Sequence, residues 1–422
     1  MTIPNAFYGQ SGGVTSVINA SAAGVIQTAQ QYPEKINKVY VGEDGILGAL
    51  TENLIDSSLE SASDIEALKH TPSGAFGSCR YKLKSLEEHR EEYQRLIEIF
   101  KAHDIRYFFY NGGGDSQDTA YKVSQLSETM GYPITAIGIP KTIDNDLPFT
   151  DCSPGFASVA KYVAVSALEA SFDVASASST STRVFVMEVM GRHAGWIAAA
   201  SGLASDERNL GPDIILFPEI EFDQTEFLAK VNETVKTKGF CIVVASEGVK
   251  KKDGSFLSDS VIRDAFGHAQ LGGVAPVVVD LVKQAHGFKC HWAVCDYLQR
   301  AARHIGATAD VEHAYELGKA AVEFAVSGDN AIMPIIVRTS DEPYQWEIGK
   351  ANLEQVANVE QMMPANYISD DGFFITDECR TYLQPLINGE DYPPYQNGLP
   401  TYIKLKKNKV AKLTGREFKL NL

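Results

Sequence analysis

The chain has 422 residues, 44% of them hydrophobic, and a formal charge of −16. That length suffices for two domains with cores of their own, and the apolar fraction is that of an ordinary globular protein. The acidic balance argues against nucleic acid or a membrane as partner, and no apolar run reaches the roughly 18–20 residues of a membrane span. The 6 cysteines (Cys79, Cys152, Cys241, Cys290, Cys295 and Cys379) lack Cys-x-x-Cys spacing and read as reduced, buried thiols. The opening residues Met1-Thr2-Ile3-Pro4-Asn5 carry neither a basic region nor an apolar run, so the chain reads as cytoplasmic.

Ala6-Phe7-Tyr8 predicts a short strand, followed by Gly9-Gln10-Ser11-Gly12-Gly13-Val14-Thr15-Ser16 and a small-residue helix over 17–30. A strand, a glycine turn and a helix N-terminus make an anion site, because free N–H groups and the helix dipole point at one spot. The same pattern without a ligand is a plain βα turn. Val39-Tyr40-Val41 is the next strand, and Gly77-Ser78-Cys79-Arg80 sets an arginine among small residues. Arginine suits phosphate because its planar fork binds two oxygens and keeps its charge. Residues 87–102 have the apolar spacing of an amphipathic helix.

Two strand-and-loop units in tandem organise the chain. Tyr107-Phe108-Phe109-Tyr110 runs into Asn111-Gly112-Gly113-Gly114-Asp115-Ser116. Ile134-Thr135-Ala136-Ile137-Gly138-Ile139 runs into Pro140-Lys141-Thr142-Ile143-Asp144-Asn145-Asp146. Each apolar run reads as a buried strand, and loops leaving such strand ends line the ligand crevice of an open α/β sheet. The glycines allow close backbone approach to an anion. Asp115, Asp144 and Asp146 beside Lys141 are the groups a magnesium-dependent phosphoryl transferase needs.

Downstream, residues 158–171 read as a helix. Arg183 precedes a strand, Val184-Phe185-Val186-Met187-Glu188-Val189, which ends in Met190-Gly191-Arg192-His193. Strands at 214–217 and 241–245 end in Glu219 and Glu247, between which composition alone does not choose. Residues 331–338 form a further buried strand. The tail from Asp341 is polar and aromatic, and its lysine cluster at 404–412 reads as solvated surface.

In order along the chain, these segments resemble the signatures of the phosphofructokinases, and the variants Asp115 and Lys141 resemble their pyrophosphate-dependent branch. The resemblance implies an α/β fold of two Rossmann-like, three-layer domains with mainly parallel sheets and the active site in the cleft between them. One domain is expected from 1–155 plus roughly 299–350, the other from 156–298 plus part of the 351–422 tail. Gly12, Gly13, Arg80, Gly113, Gly114 and Ser116 would bind the phosphoryl donor. Asp144 would be the base, with Lys141, Asp115 and Arg192 also catalytic. Thr142, Asp144, Met190, Gly191, Arg192, Glu247, Tyr297 and Arg300 would hold the sugar phosphate, with Arg300 on its 6-phosphate.

Arg183 matches an arginine that the family supplies across a subunit interface, which implies a homodimer or homotetramer with shared sites. Asp146 and Asp115 would hold Mg2+. Gly114 stands where the family has a loop acid, Val14 where it often has aspartate, and His291 where ATP-dependent members often have a second cross-subunit arginine. Gly267-His268-Ala269-Gln270-Leu271-Gly272-Gly273 imitates a family loop but carries Leu271 in place of its arginine, so Asp296-Tyr297-Leu298-Gln299-Arg300 is the better match.

The reaction so implied is reversible phosphoryl transfer from pyrophosphate to the 1-hydroxyl of fructose 6-phosphate. Asp115 would block the α-phosphate of ATP by volume and charge, and it is expected to pair with Lys141. The alternatives are an ATP-dependent phosphofructokinase, a nicotinamide-type dehydrogenase and a non-catalytic binding or regulatory relative, against which the intact Thr142-Ile143-Asp144-Asn145-Asp146 set argues. The first loop lacks the Gly-x-Gly-x-x-Gly fingerprint of the dehydrogenase.

Overall fold

The computed structural model describes residues 2–205, 210–258 and 272–419. It is built on two sheets. The larger has seven strands in the order β11-β10-β5-β4-β1-β2-β3. Its parallel centre consists of β1 (Asn5–Gln10), β2 (Val39–Gly42), β4 (Ile105–Gly112), β5 (Thr135–Pro140) and β10 (Ile332–Asp341). The antiparallel edges are β3 (Leu54–Asp56) and β11 (Tyr344–Asn352). The smaller sheet is parallel throughout, in the order β7-β8-β6-β9. Its strands are β6 (Val184–Val189), β7 (Ile214–Leu216), β8 (Cys241–Ser246) and β9 (Cys290–Val294).

The central strands are buried on both faces, which is why they read as continuous apolar runs. On one face of the larger sheet, Phe7 and Phe108 stack with ring centroids 5.3 Å apart, and Phe100 and Tyr110 extend the aromatic cluster. Truncating one of these buried rings to alanine would cost about 3–5 kcal/mol. On the other face lies the small-residue helix Ile18–Ala29, crossed by helix Thr308–Ser327. The two backbones approach so closely that a Cβ at Gly24 would fall 2.2 Å from the Tyr315 carbonyl oxygen. A Cβ at Gly318 would fall 2.2 Å from that of Ser21.

Buried Asp310, on the same helix, accepts from Gly155 N at 2.7 Å and Ser158 N at 3.0 Å. It thereby satisfies the orphan donors at the start of helix Phe156–Ala177. All six cysteines are buried and unpaired. Leu271 and most of the loop imitated by 267–273 lie outside the described residues.

Candidate active site

The C-terminal ends of β1, β4 and β5 in one sheet, and of β6, β8 and β9 in the other, open onto one cavity of about 930 Å³. That volume suits a pair of small ligands.

The first wall is the turn after β1. Gly12 has φ +76°, a left-handed conformation that glycine adopts without strain. Gly12 N donates to Cys79 O at 2.9 Å, and Ser78 Oγ donates to Gly12 O at 2.8 Å. The segment carrying Arg80 is thus stitched to the first loop. A Cβ at position 13 would lie 2.8 Å from Arg300 Nη1 and 3.5 Å from Arg80 Nη2, so two guanidinium groups crowd Gly13. Lys141 Nζ donates to Gly13 O at 2.6 Å.

Burial lowers the Lys141 pKa from 10.5 to about 7, helped by the positive charges of Arg300 and Arg80 and opposed by Asp144 and Asp146. Three cationic side chains therefore converge here, in a chain whose net charge is −16. A site that strains to keep its own lysine protonated is a site built for an anion.

The second wall is the turn after β4, where Gly113 opens helix Gly114–Met130. A Cβ at Gly114 would meet nothing within 4 Å, which leaves the helix N-terminus open to the cavity. Asp115, in that first turn, does not pair with Lys141 as expected. Its Oδ1 lies 2.6 Å from Lys82 Nζ, while Lys141 is spent on the Gly13 carbonyl.

The loop after β5 is held on both sides. Asn145, at φ +55°, donates from Nδ2 to Tyr382 Oη at 2.9 Å and accepts from Ser153 N at 2.9 Å. Asp144 N donates to Thr142 Oγ1 at 3.1 Å, and Gln361 N donates to Asp146 O at 2.6 Å. The carboxylates of Asp144 and Asp146 are left to the cavity. Burial raises the Asp144 pKa, and Lys141 opposes it. Burial, then the charges of Asp144 and Glu360, push Asp146 up to about 7. Glu247 likewise rises to about 7, through burial and then Asp144.

On the third wall, Ser246 Oγ donates to Gly191 O at 2.5 Å and Gly191 N donates to Glu247 Oε1 at 3.4 Å. These bonds fix the turn bearing Met190 and Arg192. The guanidinium of Arg300 lies 3.8 Å over the Tyr297 ring. That stacking holds Arg300 beside Gly13 and Arg80, on the wall formed by the first glycine turn.

Every expected site residue lines this cavity except Arg183 and Gly191. Gly191 shapes the turn between two residues that do. Arg183 lies at the opposite end of β6, where its N donates to Lys289 O at 2.9 Å, roughly 20 Å along the strand from Met190. Of the two glutamates left open, Glu247 lines the cavity. Glu219 instead accepts from Gly195 N at 2.8 Å.

Sequence reasoning missed Lys82, Glu188, Asn358 and Glu360. Glu188 lines the cavity but caps helix Val274–His286, accepting from Gly273 N and Ala275 N, both at 2.8 Å. Its position at the end of the Val184–Val189 strand was the available signal. Glu360 comes from the tail and lies 2.8 Å from His193 Nδ1.

The family model for phosphofructokinase matches residues 5–325. Pyrophosphate–fructose 6-phosphate 1-phosphotransferase of Methylococcus capsulatus is 65% identical over 418 residues, covering 99% of this chain and 100% of that protein. The enzyme of the same name from Halomonas elongata is 62% identical, with 99% of each chain covered. A crystal structure of pyrophosphate-dependent phosphofructokinase from Nitrosospira multiformis superposes with a TM-score of 0.92 at 63% identity, covering 99% of this chain and 100% of that one.

Proposed function

We infer the reaction from one premise: the chain belongs to the phosphofructokinase family. It transfers a phosphoryl group from pyrophosphate to the 1-hydroxyl of fructose 6-phosphate, giving fructose 1,6-bisphosphate and phosphate, in either direction. The observation that carries this reading is the donor wall. Gly13, Arg80, Arg300 and Lys141 gather positive charge around a glycine turn, and Asp115 stands at its mouth.

Asp144 accepts the proton of the attacking hydroxyl, and the burial that raises its pKa makes it a stronger base. The new O–P bond forms as the bridging O–P bond of pyrophosphate breaks. The departing phosphate leaves against Lys141, and Arg80 faces the phosphoryl group in flight; Arg300, expected on the 6-phosphate, lies beside Gly13 and Arg80 and takes that phosphoryl group instead. Catalysis of this kind is mainly positioning and charge stabilisation. Thr142, Met190, Gly191, Arg192, Glu247 and Tyr297 orient the sugar phosphate. Arg183, which lies at the far end of β6 from its own chain's cavity, serves that of a neighbouring subunit in a homodimer or homotetramer.

Among the described residues no three His, Cys, Asp or Glu side chains form a closed metal cage. Magnesium needs none, since it keeps several waters and takes one or two carboxylates plus phosphate oxygens. Asp146 fits that role, its carboxylate buried and crowded by Asp144. Asp115 is engaged by Lys82 and would contribute from the outer side. When bound, magnesium would draw charge from the donor's phosphate oxygens.

Residues 1–155 with roughly 299–350 make the donor half, and 156–298 with part of the 351–422 tail the sugar half. No helix among the described residues is long and apolar enough to cross a membrane.

Initial rates with fructose 6-phosphate, magnesium and either pyrophosphate or ATP test the reading. The expected kcat/KM is far higher for pyrophosphate, and Asp115→Gly should move the donor ratio towards ATP. A preference for ATP in the unmodified protein would overturn the assignment.

A further inference from the structure

Asp115 does not stand alone at the mouth of the cavity. The ammonium of Lys82, 2.6 Å from its carboxylate, also donates to Asn358 Oδ1 at 3.3 Å. Three distant parts of the chain meet there: the segment after Arg80, the first turn of helix Gly114–Met130, and the tail beyond β11. All three line the cavity. The tail segment is itself anchored, by Gln361 N on Asp146 O at 2.6 Å and by Glu360 on His193 at 2.8 Å.

The side chains of Lys82 and Asp115 are 44% and 38% exposed, and an ion pair so exposed adds little to stability. Its place at the mouth is better explained by what enters. Pyrophosphate carries several negative charges. A bare carboxylate at 115 would repel the wanted donor as well as a longer one.

We propose that Lys82 is the positioning residue for donor selection. It cancels the charge of Asp115 towards pyrophosphate while fixing the carboxylate across the path of a third phosphate, and Asn358 holds Lys82 to that task. The inference rests on the pyrophosphate reading and deepens it. Selection at this point is then steric, by a neutralised pair, and a triphosphate must break the pair to pass. The carboxylate and the ammonium form one functional unit, so their effects on donor binding are not additive.

The test is a double-mutant cycle of Lys82→Met and Asp115→Asn in the full chain, with thermal melting to check the fold. It is read by calorimetric binding of magnesium imidodiphosphate, a pyrophosphate analogue, and by kcat and KM for pyrophosphate. Lys82→Met should weaken analogue binding and raise the KM about tenfold, with kcat within about threefold. Lys82→Arg should stay near the unmodified protein, and Asn358→Ala should shift binding less but in the same direction. The double variant should recover to within about threefold of Asp115→Asn alone. Inorganic tripolyphosphate should compete with pyrophosphate far better in Asp115→Gly, which removes the bulk across its path, than in the isosteric Asp115→Asn. If Lys82→Met does not fold, Lys82→Gln carries the same expectation.

A Lys82 defect that persists undiminished beside Asp115→Asn, or no defect at all, would overturn the proposal. Failure of the function itself would show earlier, as an unmodified protein that does not turn over pyrophosphate.

Discussion

Replacing Lys141 with methionine keeps the length of the side chain and removes the charge around which the donor wall is arranged. Its fall from 10.5 to about 7 corresponds to roughly 5 kcal/mol against the charged form in the empty site, at about 1.4 kcal/mol per pKa unit. Pyrophosphate supplies the missing negative charge and restores the ordinary preference for the ammonium. At pH 8 the free protein holds Lys141 mostly neutral and the complex holds it charged, so binding should take up nearly one proton at this residue. At pH 6 the lysine is already charged and the uptake disappears. Donor affinity at this site therefore falls as pH rises above about 7.

Removing one preorganised charge stabiliser typically costs about 10²–10³ in kcat, and Lys141→Met should lose that much with pyrophosphate. Stability should not fall in parallel. A lysine whose pKa is depressed contributes stability that is present above 10.5 and lost as pH falls through about 7. Near neutral pH its burial is therefore a cost that methionine removes, offset by the lost hydrogen bond to Gly13. The assay is calorimetric titration with magnesium imidodiphosphate in buffers of different ionisation enthalpy, run on both proteins so that the ligand's own protonation cancels. Proton uptake equal in the two proteins, or turnover of the variant within about tenfold of the original, would refute the reasoning.

Asp144→Asn should lower kcat by about 10²–10⁴ with little change in fructose 6-phosphate binding, and near-normal turnover would remove Asp144 as the base. Arg183→Ala should raise the KM for fructose 6-phosphate far more than that for pyrophosphate; an active monomer at high dilution would contradict the shared site. His313 is buried against Tyr344 and Trp346, and burial pushes its pKa from 6.5 down to about 3. A depressed pKa gives stability that is present above 6.5 and lost as pH falls towards 3, at about 1.4 kcal/mol per pH unit. His313→Phe should flatten the acid limb of a plot of denaturation midpoint against pH, and an unchanged slope would show that other groups govern it.

The parallel strands and the loops at their ends were legible because burial on both faces writes a continuous apolar run. Val184–Val189 was read to the residue, and the Tyr107–Tyr110 run grew by two residues at each end. Strand β9 was not legible. Four of its five residues are exposed, so Cys290-His291-Trp292-Ala293-Val294 carries no burial pattern. Strand β11 alternates Tyr344, Trp346 and Ile348, a period-two signal set among the polar and aromatic residues of the tail.

The glycine turns and carboxylates of the site were legible from local spacing. Lys82, Asn358 and Glu360 were not. Lys82 and Asn358 are 276 positions apart, and no local period records a contact of that reach. The expected Asp115–Lys141 pair failed for the complementary reason. Two charges near one motif satisfied the arithmetic, but burial committed the lysine to a carbonyl instead.

The crowding of Arg300 against Gly13 has a bearing on how the enzyme is born. At synthesis rates of about 5–20 residues per second, Arg300 leaves the ribosome roughly 15–60 s after Gly13. Through that interval the glycine turn exists without the guanidinium that closes it, and Asn358 and Gln361 follow later still. A growing chain can therefore carry most of the donor wall while having no competent site. The onset of pyrophosphate binding would mark the docking of the last third of the polypeptide, a natural clock for the completion of folding.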